Sequence, residues 1–154
     1  MVGIRSTALV TGLSAALATT VVGAADSPFV GKWHWNSARS TLPPGAMAPK
    51  DVVSEISQAD GGAVSWSVTI VTPDDQRHAR TFKAGADPKR IAGDTTVSAR
   101  LSGDTLQTTF KGDAGQSDTL ICTVSANGKK MTCQGVLSDG EGHSVSYVDV
   151  YDRM

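Results

Sequence analysis

Residues 117–137 read SDTLICTVSANGKKMTCQGVL, and this stretch decides the fold. Two alternating runs, Ser117 to Ser125 and Lys130 to Leu137, flank the dipeptide Asn127-Gly128, which between such runs signals a β-hairpin with a tight turn. Cys122 and Cys133 are equidistant from the centre of that turn, so they stand opposite each other across the hairpin. Their side carries Leu120, Cys122 and Val124 against Gly135, Cys133 and Met131, and this apolar face supports the register. Closing so short a loop contributes about 3 kcal/mol in the chain-entropy view of a disulfide. A redox or metal role would need a CxxC spacing or further clustered Cys and His, and the sequence has neither.

The same pattern extends through the chain. Of 154 residues, 40% are apolar, 19% charged and 5% aromatic, which excludes collagen, coiled coils, polytopic helical membrane proteins and acidic disordered tails. Beyond residue 25, helix formers are scarce, while Val, Thr, Ser and Gly recur, a composition suited to pleated, half-buried strands. Period-two alternation predicts strands at Phe29 to Asn36, Asp51 to Gln58, Ala63 to Val71, Arg77 to Lys83 and Thr95 to Ser102. It continues at Thr105 to Lys111, Ser117 to Ser125, Lys130 to Leu137 and His143 to Asp152. Short turns rich in Gly, Asp, Asn and Pro join most of them, which makes an antiparallel meander. The segment Ser37 to Lys50 differs: Pro43, Pro44, Gly45 and Pro49 forbid a helix and imply an extended arm that crosses the fold and closes one end.

A meander this long removes its exposed edges by curling until they meet, so the expected fold is all-β, an antiparallel up-and-down barrel of 8 to 10 strands. A two-sheet sandwich has the same alternation and is the structural competitor. Val64, Trp66, Val68 and Ile70 mark the dry face of one strand, and Leu106, Thr108 and Phe110 that of another. A transmembrane barrel needs the reverse arrangement, with an apolar outer band and aromatic girdles, so a membrane-spanning pore is not expected.

Residues 1–25 have the grammar of a secretory signal peptide: Arg5, an uncharged apolar run from Ser6 to Val22, then Gly23, Ala24 and Ala25, with cleavage expected after Ala24 or Ala25. The polar interruptions Thr11, Gly12, Ser14, Thr19 and Thr20 argue against a transmembrane anchor. Residues 26–154 are then a single exported domain, periplasmic or secreted, where the cysteine pair oxidises. Lysines and arginines number 14 against 15 aspartates and glutamates, a balance that supplies no electrostatic footprint for nucleic acid.

The run Phe29 to Ser40, FVGKWHWNSARS, followed by Pro43-Pro44-Gly45 and Ala48-Pro49-Lys50, resembles the opening of small secreted bacterial proteins of lipocalin-like type. Further matches are Lys83 to Gly93, the hairpin Ala126 to Thr132 and the closing stretch Val148 to Arg153. The resemblance implies a calycin-type barrel in which Gly31-Lys32-Trp33 is the G-x-W signature of the first strand, with Trp33 in the floor and Arg153 stacked on it as a cation. No helix is evident between the first two strands, which separates the chain from intracellular fatty-acid-binding proteins.

His78, Arg80 and Phe82 alternate onto one face, so an inward Phe82 takes the other two with it. In one reading Arg80 anchors the carboxylate or phosphate of an amphiphile whose tail lies against Trp66, Val68, Leu101 and Phe110. In the other, this strand is an edge and Arg80 is solvated. Phe29, Trp33 and Trp35 read as core. His34, His78 and His143 lack ligand spacing, so no metal is expected, and no cofactor is implied. There is no G-x-S-x-G elbow, P-loop or dinucleotide fingerprint, and Asp74 and Asp75 diverge in a turn, so the chain reads as a non-enzyme.

Three functions follow in order. The first is non-covalent binding of a small hydrophobic or amphiphilic molecule inside the barrel. The second is a protein-interaction module, such as an inhibitor of an exported protease, using a filled barrel and the 37–50 arm. The third, an isomerase or hydrolase, needs two polar groups converging in the cavity.

Overall fold

A computed structural model describes residues 26–154; the expected signal peptide and its cleavage point lie outside the described residues. Ten strands follow one another: β1 (Gly31–Trp35), β2 (Asp51–Ala59), β3 (Val64–Val71), β4 (Arg77–Ala84), β5 (Lys89–Ala92), β6 (Thr95–Ser102), β7 (Thr105–Lys111), β8 (Ser117–Val124), β9 (Lys130–Ser138) and β10 (Ser144–Arg153). No helix occurs among the described residues. The strands form one antiparallel sheet in the order β4-β3-β2-β1-β10-β9-β8-β7-β6-β5. The sheet curls into a nearly closed barrel, because β3 and β4 at one margin approach β6 at the other. A single backbone hydrogen bond pins the seam where the Ala99 N–H donates to the Gly85 carbonyl at 2.7 Å.

Nine strands coincide with the alternating runs, and the tenth is β5. All four of its residues are exposed, so it has no dry face and leaves no period-two signal. At the other end β1 begins at Gly31 instead of Phe29. Pro28 lacks an N–H to donate to a ladder, and Val30 N–H closes a turn onto Ser27 O at 2.9 Å. Phe29 is nonetheless fully buried in the floor of the barrel.

In the 117–137 hairpin, Cys122 pairs with Cys133 and the two form a disulfide. Phe29, Trp33, Ile56, Val64, Val97 and Leu106 belong to the buried core of the barrel. Arg153 locks the floor: its guanidinium lies 4.1 Å from the centre of the Trp33 ring and donates to the carbonyls of Gly128, Val30 and Pro28 at 2.5, 2.8 and 2.5 Å. Gly31, at φ +139°, makes room for it, since a Cβ there would fall 2.4 Å from Arg153 Nη1.

The 37–50 arm leads from β10 to β3, where its last residue, Lys50, donates its N–H to the Val71 carbonyl at 2.8 Å. After a detour at residues 37–40 it continues the pairing of β1 with β10, through reciprocal Thr41–Val148 backbone bonds of 2.8 and 3.0 Å. The free N–H of Val150 would otherwise be stranded by the detour, and Ser40 Oγ accepts from it at 3.0 Å.

Candidate ligand-binding site

Alternation along ten strands sends one face of each into the barrel. At its centre this leaves a cavity of about 140 Å³, walled largely by apolar side chains. Val64, Trp66, Val68, Phe82, Leu106 and Phe110 form one side, and Leu120, Met131 and the Cys122–Cys133 disulfide the other. Trp66, Phe82 and Phe110 pack together, with ring centres 5.1 to 6.4 Å apart. They come from β3, β4 and β7, so the cluster bridges the unpaired seam and takes the place of the missing ladder there.

Phe110 has a second exposure. Its outer side lines a shallow groove of about 360 Å³ at the open end, together with Thr95, Asp118 and Leu137. Phe110 thus borders both the inner cavity and the groove.

Three hydroxyl groups line the inner cavity: Ser54 on β2, Thr108 on β7 and Tyr151 on β10. Ser54 is buried at 8% exposure. None of the three hydroxyls has a hydrogen-bond partner among the described residues, and none is fully buried. Tyr151 is deeply enclosed by the chain yet keeps accessible surface, as a cavity wall does. Burial first, then the charges of Asp149 and Asp118, push its phenol above the usual range.

Towards the open end, the inward face of β8 and β10 carries a polar network. Tyr147 Oη donates to Asp118 Oδ1 at 2.7 Å, and Trp35 Nε1 donates to Asp149 Oδ1 at 2.8 Å. Tyr147 reaches Asp118 by laying its ring across Gly135 of the intervening β9, where a Cβ would sit 2.1 Å from Tyr147 Cζ. Burial raises the pKa of Asp118 against the lowering effect of the Tyr147 hydrogen bond. Burial likewise raises Asp149, opposed by the Trp35 bond and reinforced by the Asp118 charge.

The residues singled out from the sequence separate into two groups. Trp66, Val68, Phe82 and Phe110 come together around the cavity; Leu101 is half-buried and packs on the core behind it. His78 and Arg80 share the inward side with Phe82, opposite Ile70 and Val68, but β4 is the sheet margin and both are exposed and outside the cavity lining. Ser54, Tyr151, Asp118 and Asp149 were not singled out, although each lies at an inward position of its strand. In the β9–β10 turn, at the same end as the mouth, exposed Asp139, Glu141 and His143 gather within 4.8 Å. Asp139 is already occupied there, accepting from the Glu141 and His143 N–H groups and the His143 ring.

No protein-family model matches the chain, and no curated protein matches it. Solved structures do. A point variant of the fluorescent protein UnaG superposes with a TM-score of 0.59 at 20% identity, over 82% of this chain and 96% of that one. Fatty-acid-binding protein 1 of Echinococcus granulosus gives 0.55 at 10% identity, over 82% and 98%. The fatty acid-binding protein from brain tissue of Drosophila melanogaster gives 0.51 at 16% identity, over 80% and 98%. The chain thus shares the β-barrel fold of these solved structures.

Proposed function

We propose that this chain is a non-catalytic binding protein that holds a small hydrophobic or amphiphilic molecule inside its barrel, in the periplasm or outside the cell. The observation that carries the proposal is the apolar cavity at the barrel centre, lined by Trp66, Val68, Phe82 and Phe110. Apolar surface held away from protein contacts in this way gains free energy from any fitting apolar guest. The fatty-acid-binding proteins that share the fold lend it support.

At about 140 Å³ the inner cavity holds a single ring or a short chain, comparable to the cavity of roughly 150 Å³ that admits benzene in another protein. Turning Phe110 aside would join it to the 360 Å³ groove, and the combined space falls within the roughly 300–1,000 Å³ of ordinary ligand clefts. His78 and Arg80 stand outside the cavity lining on the seam margin, so the wall provides no cationic anchor.

Export rests on residues 1–25, and membership among small bacterial lipocalin-like proteins rests on the 29–50 motif. Native mass spectrometry of the protein recovered from its own compartment tests the proposal directly. A retained small-molecule mass released by organic solvent is expected. A bare polypeptide mass, with no apolar guest accepted in titration, would refute it.

One observation favours the second reading, a module that binds an exported protein. Met47 at the arm's tip is 82% exposed, beside Pro49, Ile70 and Pro73. Met47→Asp would abolish such an interaction and leave occupancy of the barrel unchanged.

A further inference from the structure

The cavity wall carries chemistry that the proposal of an apolar guest leaves unused. Among its lining residues no side chain bears a formal charge, and its polar side-chain groups are the indole N–H of Trp66 and the hydroxyls of Ser54, Thr108 and Tyr151, none with a hydrogen-bond partner among the described residues. A purely apolar guest that filled the space would strip these groups of water and leave them unpaired, which costs more than a made hydrogen bond returns. A guest with one oxygen atom of its own avoids that loss. A hydroxyl acts as donor and acceptor alike, so the wall suits an alcohol or a carbonyl equally well.

The sign of the surrounding charge narrows the choice. Asp149 neighbours Cys133 and lies two residues from Tyr151 on the same inward face, and Asp118 faces the same interior from β8. Of the inward cations, Arg80 is exposed on β4, and Arg153 is committed to Trp33 and three carbonyls in the floor. A carboxylate drawn into the cavity would lose its hydration, meet no cation in the wall and feel two carboxyl groups nearby.

We propose that the barrel selects an uncharged ring-sized or short-chain molecule bearing a hydroxyl or carbonyl oxygen, bound by Tyr151 with Ser54, and excludes carboxylates. This rests on the cavity being a binding site at all, and the probes are chosen to separate the two ideas. Benzyl alcohol, toluene and benzoate have the same ring and differ in their polar end.

Each is titrated at pH 7 into the oxidised protein, following the Trp66 indole resonance by NMR, for wild type, Tyr151→Phe and Ser54→Ala. Toluene and benzyl alcohol are expected to bind wild type, with benzoate at least about a hundredfold weaker than benzyl alcohol. Tyr151→Phe should weaken benzyl alcohol about fivefold and leave toluene unchanged or tighter; Ser54→Ala should act in the same direction. Toluene binding with equal affinity for benzoate and benzyl alcohol, or with both variants indifferent to benzyl alcohol, overturns this inference and spares the binding function. Failure of every probe to bind wild type overturns both. Unchanged unfolding midpoints of the two conservative variants show that the comparison is made on folded protein.

Discussion

Gly135 tests the interior packing more sharply than any other single position. The Tyr147 ring lies flat across it, and an added Cβ would approach three ring carbons at 2.1 to 2.5 Å, far inside van der Waals contact. Gly135→Ala must therefore evict the ring. Overpacking of this kind costs about 1–3 kcal/mol. Eviction also removes the 2.7 Å bond from Tyr147 Oη to Asp118, about 1.5–3 kcal/mol for a charged acceptor. The total, about 2.5–6 kcal/mol, is a large part of the roughly 5–15 kcal/mol available to a domain, and lowers Tm by roughly 10–25 °C. The decisive assay is a double-mutant cycle by urea denaturation with the disulfide intact. In a Tyr147→Ala background the methyl enters vacated space, and Gly135→Ala should be neutral or stabilising by about 0.5–1 kcal/mol, as alanine is in a strand interior. An equal cost in both backgrounds, or a cost below about 1 kcal/mol in the wild-type background, refutes the account of how Tyr147 is placed.

Replacing Cys122 and Cys133 together by Ser should lower unfolding free energy by about 3 kcal/mol, measured with the same denaturant series. Arg153→Lys keeps the charge but cannot reach three carbonyls while stacking on Trp33, so a loss of about 2 kcal/mol is expected. Asp118 and Asp149 have carboxyl groups raised above 3.8 by burial, so the unfolded chain ionises them first and stability falls as pH rises from about 4 through their elevated range. Asp149→Asn should flatten that limb in urea midpoints taken from pH 4 to 8. The exposed turn carboxylates Asp60, Asp74 and Asp139, lowered first by hydrogen bonds to Gln58, Thr72 and Glu141 respectively, act with the opposite sign and only below about pH 4. Phe110→Ala should cost about 2–3 kcal/mol and admit naphthalene, a two-ring guest, more tightly than wild type does; an unchanged NMR titration would count against Phe110 as the border between cavity and groove.

What the sequence discloses about such a barrel depends on whether the relevant physics is local. Alternation is local, so nine strands are legible, as is the Cys122–Cys133 register about Asn127-Gly128. Alternation says which face a side chain takes and says nothing about depth. It puts Arg80 beside Phe82 correctly, but Arg80 is exposed because β4 happens to be the margin at the seam, a property of closure by strands far apart in sequence. The cavity hydroxyls show the same limit. Ser54, Thr108 and Tyr151 alternate onto the dry face, yet only cross-strand geometry reveals that they find no partner, whereas Tyr147 on that same face reaches Asp118 over Gly135. One signal was nonetheless present in the chain. Asp118 has the parity of Leu120 and Cys122, and Asp149 that of Tyr147 and Tyr151, so both acids fall on faces their neighbours mark as dry. A carboxyl group placed there must be hydrogen-bonded, neutralised or facing a guest, and the first of these accounts for only one oxygen of each. The charge of the interior is thus written in the exceptions to the pattern that specifies the fold.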